Sequence, residues 1–227
     1  APDPQMRMLA AVLLRRRVNS PAKVRALPEI FKQQLMSGAL SLVETEQQRG
    51  VRRNLCHLVA AFAAALGGSA TAATDGGSVT VNATPLSQTW PGLLPATLGY
   101  AQSANDPGLR ESGLYLLSIL GEYCQLALRA AAQQVFACLG ACYQGAAAIS
   151  ADCKALLIKS TTGFLLALEP EQLSAGVPLI QPMMAVLSSL LASGDELAAR
   201  EAMDGLVEMA VDQGVAKFMS ASMVHLV

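Results

Sequence analysis

Asp106-Pro107-Gly108-Leu109-Arg110-Glu111-Ser112-Gly113-Leu114-Tyr115 is the stretch that decides how this chain folds. An Asp before a Pro suits a tight turn that leads into a helix, since Pro at the first helical position has no N–H to lose. The same opening stands at Asp3-Pro4, three residues before Arg7. Around both lies a recurring signature, an apolar or small residue followed by Arg or Lys and then a run of helix formers. It occurs at Met6-Arg7, Val51-Arg52, Leu109-Arg110, Cys153-Lys154 and Ala199-Arg200. The basic residues are spaced 45, 58, 44 and 46 apart. The one long interval holds the Gly-, Ser-, Thr- and Ala-rich residues 67–87, and removing an insertion of about 13 residues restores a period of roughly 45, the length of a HEAT repeat.

Composition agrees with helices throughout. Of 227 residues, 39 are Ala and 35 are Leu, whereas Phe, Trp and Tyr make up only 4 %. Ala and Leu favour helices, and strands draw on β-branched and aromatic residues. In 30–43 the apolar residues Phe31, Leu35, Ala39, Leu42 and Val43 form one helical stripe. The same pattern runs through 51–66, 93–101, 109–123, 126–143, 155–168, 177–191 and 197–210. Strand alternation shows only at 78–81. The spacing predicts an all-α protein, a right-handed α–α superhelix built as one HEAT-repeat array over 1–227. Its repeats are expected near 1–18 (partial), 26–67, 89–124, 125–168, 171–213 and 214–227 (partial), with 68–88 an inserted flexible loop. A helical hairpin of this size cannot bury its own apolar stripe, so each stacks on the next. The chain begins and ends inside helical patterns, which reads as a piece cut from a longer protein.

Several functional classes are disfavoured. Five Cys without a CxxC spacing give neither a disulfide framework nor a zinc ribbon. The two His, His57 and His225, fall in different repeats, and G-x-S-x-G, Walker A and HExxH motifs do not occur. Cys138 and Cys142 share a helix face without a third ligand, which reads as packing. Gly67-Gly68 and Gly76-Gly77 read as loop punctuation, and Asn82-Ala83-Thr84 is a bare sequon. No catalytic residue, cofactor or metal is expected. The uncharged apolar runs 58–66 and 177–192, the latter holding Pro178 and Pro182, fall short of the roughly 20 residues a membrane span needs, so no membrane insertion is expected. Arg15, Arg16 and Arg17 close a helix, where cations complement the dipole. Without interleaved aromatics they do not make a nucleic-acid site.

The net charge of −1 conceals a strong asymmetry. Residues 1–60 carry ten Lys/Arg against four Asp/Glu, and residues 61–227 carry six against thirteen. Glu201, Asp204, Glu208 and Asp212 step by 3, 4 and 4 along one helix face, with no Lys or Arg following at i+4. Such carboxylates repel one another and gain from a basic partner; the alternative is an ordinary solvated face. Trp90, the only Trp, follows the long loop. It either packs beneath that loop or offers an anchor in an apolar cleft.

The run 90–95 (Trp-Pro-Gly-Leu-Leu-Pro) followed by 107–115 (Pro-Gly-Leu-Arg-Glu-Ser-Gly-Leu-Tyr) resembles the third HEAT repeat of importin-β superfamily nuclear transport receptors. Gln5-Met6-Arg7-Met8-Leu9-Ala10-Ala11-Val12-Leu13-Leu14-Arg15-Arg16 is similar to the second helix of their first repeat. Arg49-Gly50-Val51-Arg52-Arg53-Asn54-Leu55-Cys56-His57-Leu58 is similar to the matching helix of the second. The likeness covers 5–124; beyond it only the helix-pair rhythm persists. The subgroup it resembles imports ribosomal proteins and histones. The resemblance implies a karyopherin shuttling between cytoplasm and nucleus: first helices on the convex outside, second helices on the concave inside, Ran in its GTP form on the inner helices of the first repeats. It also implies Phe-Gly nucleoporins in clefts between outer helices and a cargo with a basic segment on the inner face. The partner-binding candidates are then Glu201, Asp204, Glu208, Asp212 and Trp90. A HEAT scaffold of the phosphatase-associated or chromosome-associated type is the alternative.

Overall fold

The computed structural model of the chain describes residues 3–67 and 84–217. Among these lie thirteen α-helices: α1 (Pro4–Val18), α2 (Pro21–Arg25), α3 (Glu29–Thr45), α4 (Arg49–Gly67), α5 (Leu86–Thr89), α6 (Leu93–Ala101), α7 (Pro107–Tyr123), α8 (Gln125–Arg129), α9 (Ala132–Gln144), α10 (Ala151–Ala167), α11 (Pro170–Leu173), α12 (Val177–Ser193) and α13 (Glu196–Val211). No strand occurs among the described residues. The alternation at 78–81, residues 68–83 of the expected loop, the sequon at Asn82 and His225 lie outside them.

The helix starts are set locally. Pro4 opens α1 and Pro107 opens α7, where Asp106 Oδ1 accepts the Leu109 N–H at 2.8 Å. Ser150 caps α10 through the Cys153 N–H, and Asp195 caps α13 through the Ala198 N–H. Gly194, at φ +73°, ends α12 in the left-handed conformation that only Gly adopts without strain, and reverses the chain into α13. The five signature residues Arg7, Arg52, Arg110, Lys154 and Arg200 all fall in the first turn or so of α1, α4, α7, α10 and α13.

Those five helices pack in sequence order, α1 on α4, α4 on α7, α7 on α10 and α10 on α13, and form one layer. The longer first helices form the other: α6 packs on α9 and α9 on α12, while Tyr100 Oη of α6 donates to the Leu40 carbonyl of α3 at 3.4 Å. The core runs unbroken between the layers, from Ala11 through Phe62, Leu117 and Phe164 to Met209. Helices α4, α7 and α10, flanked on both sides, bury most of their residues. The end helices have one neighbour each within this layer among the described residues and expose apolar side chains, Leu9 and Leu13 on α1, and Leu197, Val207 and Val211 on α13.

Two features depart from the sequence reading, and a third, Trp90, bears on a choice that reading left open. The expected helix 126–143 breaks at Ala130–Ala131, so α8 packs with α7 and α10 while α9 turns to α6 and α12. Arg129 holds the break by donating to the Ala167 carbonyl and pairing with Glu169, so tertiary contacts override the helix propensity of the Ala run. Trp90 is 3 % exposed and packs edge-on against Phe62 with ring centroids 5.8 Å apart, so it is a core residue and offers no face to a peptide. Finally, Pro170–Ser193 forms one helical run of 24 residues that is long and apolar enough to cross a membrane by length and composition. The sequence reading stopped at its prolines, but Pro178 lies in the first turn of α12 and Pro182 is accommodated inside it. Leu179, Ile180, Met183, Leu187 and Leu190 of this run are buried, and the helix packs on α9 and α10.

Close approach depends on missing side chains. A Cβ on Gly113 would meet the backbone of α6, 2.6 Å from Tyr100 C and 2.7 Å from Ala101 Cα. Gly99, on α6 itself, has open space beside it. Gly113→Ala is therefore expected to destabilise the fold by about 1–3 kcal/mol through overpacking. Gly99→Ala should stabilise it by roughly 0.5–1 kcal/mol. Chemical denaturation of the two variants beside the parent checks both signs.

Candidate functional site: a charged cleft on the second-helix layer

Counting from each signature residue places side chains of successive repeats in rows. Five residues on stand His57, Tyr115 and Lys159, from α4, α7 and α10. His57 Nε2 and Tyr115 Oη are 2.8 Å apart with their rings edge-on, and the Arg53 guanidinium lies 4.9 Å from the Tyr115 ring centroid. One to two turns nearer the helix starts, Arg49 of α4 bonds Glu111 of α7 at 2.5 Å and Asp152 of α10 at 2.6 Å. Arg53 reaches the same Glu111 oxygen at 3.1 Å. This network ties three consecutive second helices together. Exposed ion pairs contribute little singly, and their shared geometry is what fixes the helices' relative positions.

Toward the other end of the layer the balance changes. Glu122 of α7, Lys159 of α10, and Glu201, Asp204 and Glu208 of α13 surround a cleft of about 210 Å³. Its floor is Ser118, Thr162, Gly163 and Gly205. The cleft exists because α13 sits directly on α10: a Cβ on Gly205 would collide with Thr162 Oγ1. Four carboxylates against one ammonium leave a formal charge of −3 at its rim, an arrangement that attracts a cationic side chain and rejects an acidic one. Glu122 and Lys159 were not singled out from the sequence, because they lie in other repeats; stacking the repeats on their Arg/Lys landmarks is the signal that exposes them.

Three of the four carboxylates of the expected stripe line this cleft. Asp212 does not: it ends α13, and its Oδ1 accepts the Val215 N–H at 2.9 Å, which makes it a cap for the following turn. Cys138 and Cys142 donate to the Leu98 and Ala101 carbonyls at 3.7 and 3.5 Å and so tie α9 to α6. Among the described residues no cluster of three His, Cys, Asp or Glu side chains could hold a metal ion. On the other layer, Phe136, Gly140 and Tyr143 of α9 face Pro178, Leu179 and Pro182 of α12 across an apolar groove of about 480 Å³.

The family model described as "IPO5-like, TPR repeats" matches residues 80–227. No curated protein matches the chain. A mutant of Kap121p superposes with a TM-score of 0.70 over 100 % of this chain at 18 % identity. Kap121p bound to Ste12p gives 0.68 over 96 % at 19 % identity, and Kap121p bound to RanGTP gives 0.63 over 96 % at 18 % identity. This chain spans 18–19 % of the length of those chains. The shared fold is the karyopherin solenoid, a right-handed α–α superhelix of HEAT repeats. The landmark spacing of 44–46 residues is that of HEAT units rather than the 34 of TPR units, although both are helix pairs.

The row of rings carries a pH dependence. Burial depresses the His57 pKa below its usual value. The positive charges of Arg15, Arg53 and Lys159 add to this, and Glu122 opposes it. A folded-state pKa below the unfolded one means the unfolded chain binds the proton more readily, so this stabilisation is complete above the unfolded value near 6.5 and is lost as pH falls through the depressed one. His57→Phe is expected to flatten the fall in thermal midpoint between pH 7 and 5, read from melting curves across that range.

Proposed function

We propose that this chain, which belongs to the IPO5-like family of helical-repeat proteins, forms part of a nuclear transport receptor for protein import. The cleft between α10 and α13 receives a basic segment of the cargo, with Glu122, Glu201, Asp204 and Glu208 around a Lys or Arg side chain. The observation that carries this reading is the convergence of carboxylates from two second helices, α7 and α13, beside α10, so that the charge belongs to the layer and not to one solvated helix face. Lys159 stands among them as an internal cation that a cargo side chain displaces or bridges. GTP-loaded Ran contacts the second helices nearer the N-terminal end. The apolar groove between α9 and α12 takes Phe-Gly nucleoporin segments, since apolar inter-helix grooves with few polar groups suit an aromatic anchor. The receptor shuttles between cytoplasm and nucleus, and cargo and Ran compete for it through coupled binding equilibria. It performs no chemistry. Kap121p structures with Ste12p, Nup53p and RanGTP support these classes of partner for proteins of this fold.

Reversing Asp204 and Glu208 to Lys removes two attractive charges and adds two repulsive ones without touching the core. A basic peptide is expected to bind roughly 4- to 30-fold more weakly to the double variant, at about 0.2–0.5 kcal/mol for each of the four charge changes. Helicity should stay unchanged. Titration by fluorescence anisotropy at fixed ionic strength checks this, and equal affinity for parent and variant would return the stripe to plain surface. For the transport reading, capture of GTP-loaded but not GDP-loaded Ran by the full-length receptor is the expected result. Equal capture of both forms, or of neither, would favour a static scaffold.

A further inference from the structure

Arg52 breaks the pattern of the landmark residues. Arg7 pairs with Glu46, its Nε 2.7 Å from Oε2 and its Nη2 3.0 Å from Oε1. Arg110 donates to the Ser103 and Ala104 carbonyls at 2.7 and 3.0 Å, and Lys154 reaches Ser189 Oγ at 3.4 Å. Arg200 is exposed to water. Arg52 is only 9 % exposed, yet its side chain makes no hydrogen bond or ion pair among the described residues, and its Nε is enclosed without a partner. Taking a guanidinium out of water without a counter-charge is costly, so buried charges are found paired.

Its surroundings deepen the anomaly. The guanidinium rests on Gly108, where a Cβ would lie 2.6 Å from Nη1 and 2.8 Å from Cζ. Gly108 is the second residue of α7, a 17-residue helix, so the positive charge sits at the positive end of the helix dipole. Both nearby acids of the ladder are engaged elsewhere: Glu111 holds Arg49 and Arg53, and Asp152 holds Arg49. Three arginines against two carboxylates leave one positive charge over. Asp106, at the start of α7, spends its Oδ1 on the Leu109 N–H and its carbonyl on the Arg110 N–H. Pro107 has no N–H to offer, and the Gly108 N–H makes no hydrogen bond among the described residues.

We propose that Arg52, the Gly108 N–H and the positive end of α7 form a binding site for one oxyanion. A phosphate or a carboxylate group satisfies the fork of a guanidinium and a helix N-terminus together. It also neutralises the charge that the α4–α7–α10 ladder leaves over. Gly108 is the residue that makes room, because any side chain there would occupy the guanidinium's seat. The site faces the α4–α7 seam near the helix starts and is independent of the acidic cleft between α10 and α13.

The test is a titration of the intact 227-residue chain with inorganic phosphate, and separately with an oligo-glutamate peptide, both at constant ionic strength with chloride as the balancing ion. Thermal midpoint and calorimetric affinity are the readouts. Arg52→Met should fold at least as well as the parent in chloride, since it replaces an unpaired buried charge with an apolar chain of similar length. It should bind the anion about tenfold or more weakly, the loss expected for one charge-assisted contact. Gly108→Ala keeps every charge and should weaken binding as well, and Arg52→Lys should fall between parent and Met. Binding of phosphate that depends on Arg52 assigns the site to a free anion. Glutamate-peptide binding that depends on Arg52, with no phosphate response, assigns it to an acidic side chain of a partner. Affinities equal in parent and Arg52→Met for both probes, or no response of the parent to either, overturn the proposal.

Discussion

The structure rests on one requirement: each helical hairpin must hide an apolar stripe that it cannot cover alone. The second helices α4, α7 and α10 meet this by touching a neighbour on both sides, and the contacts are short enough to need side chains absent at chosen points. Gly113 lies on the backbone of Tyr100 and Ala101. Gly176 leaves 2.6 Å between its missing Cβ and Leu165 Cδ2. Ala60, Ala63 and Ala155 are fully buried in the same layer. The abundance of Ala is thus a packing demand as much as a propensity effect, because interiors at crystal-like density set the helix spacing by the size of what lies between.

Stacking at a fixed period has a second consequence. Residues at the same offset from each landmark become neighbours across helices although some 45 positions separate them in sequence. His57, Tyr115 and Lys159 share one such offset, and Arg53 and Glu111 another. A repeat array therefore writes its surface in rows that cross the helices. A site on it is composed from several repeats, each contributing one or two side chains. The cleft at Thr162 and Gly205 is the clearest case. The glycine that lets α13 close on α10 also leaves the notch that the acidic side chains surround.

Much of this was legible in the sequence where the signal was local. Asp-Pro pairs and the Arg/Lys landmarks mark helix starts through fixed backbone angles and short-range bonding, and the structure carries them out at Pro4 and Pro107; the reversal at Gly194 was equally local but was not read from the sequence. The acidic stripe was visible because i+3 and i+4 spacing lies within one helix. What stayed hidden depended on distant contacts. The break between α8 and α9 comes from Arg129 bonding across to Ala167 and Glu169, nearly forty residues away. For Trp90 packing was one of two open readings, and its partner Phe62, on the far side of the inserted loop, was what the sequence could not name. Asp212 shares the spacing of the stripe but is claimed by the turn after it, since a carboxylate at a helix end finds backbone N–H groups before it finds a partner.

The charge count in the sequence and the charge free to act on the surface are different quantities. By count the first 60 residues are the strongly charged, basic end. In the folded chain part of that charge is internally balanced, Arg7 by Glu46, Lys32 by Glu29, and Arg49 and Arg53 by Glu111 and Asp152, while Arg16, Arg17, Lys23 and Arg25 are exposed and form no ion pair among the described residues. Burial at one end also selects for pairing, because an unpaired charge there is expensive, and Arg52 is the exception that stands out for that reason. At the other end Glu122, Asp204 and Glu208 are exposed, and they form no ion pair among the described residues. Water screens them from one another at little cost, so nothing in folding compels their neutralisation. Their field consequently reaches outward over the Debye distance, where it bears on what approaches the protein and not on whether the protein folds. Charges that folding leaves unbalanced at the surface are the ones available for recognition, and here the acidic ones gather at the α10–α13 cleft while the basic ones, Arg16, Arg17, Lys23 and Arg25, lie at the other end of the array.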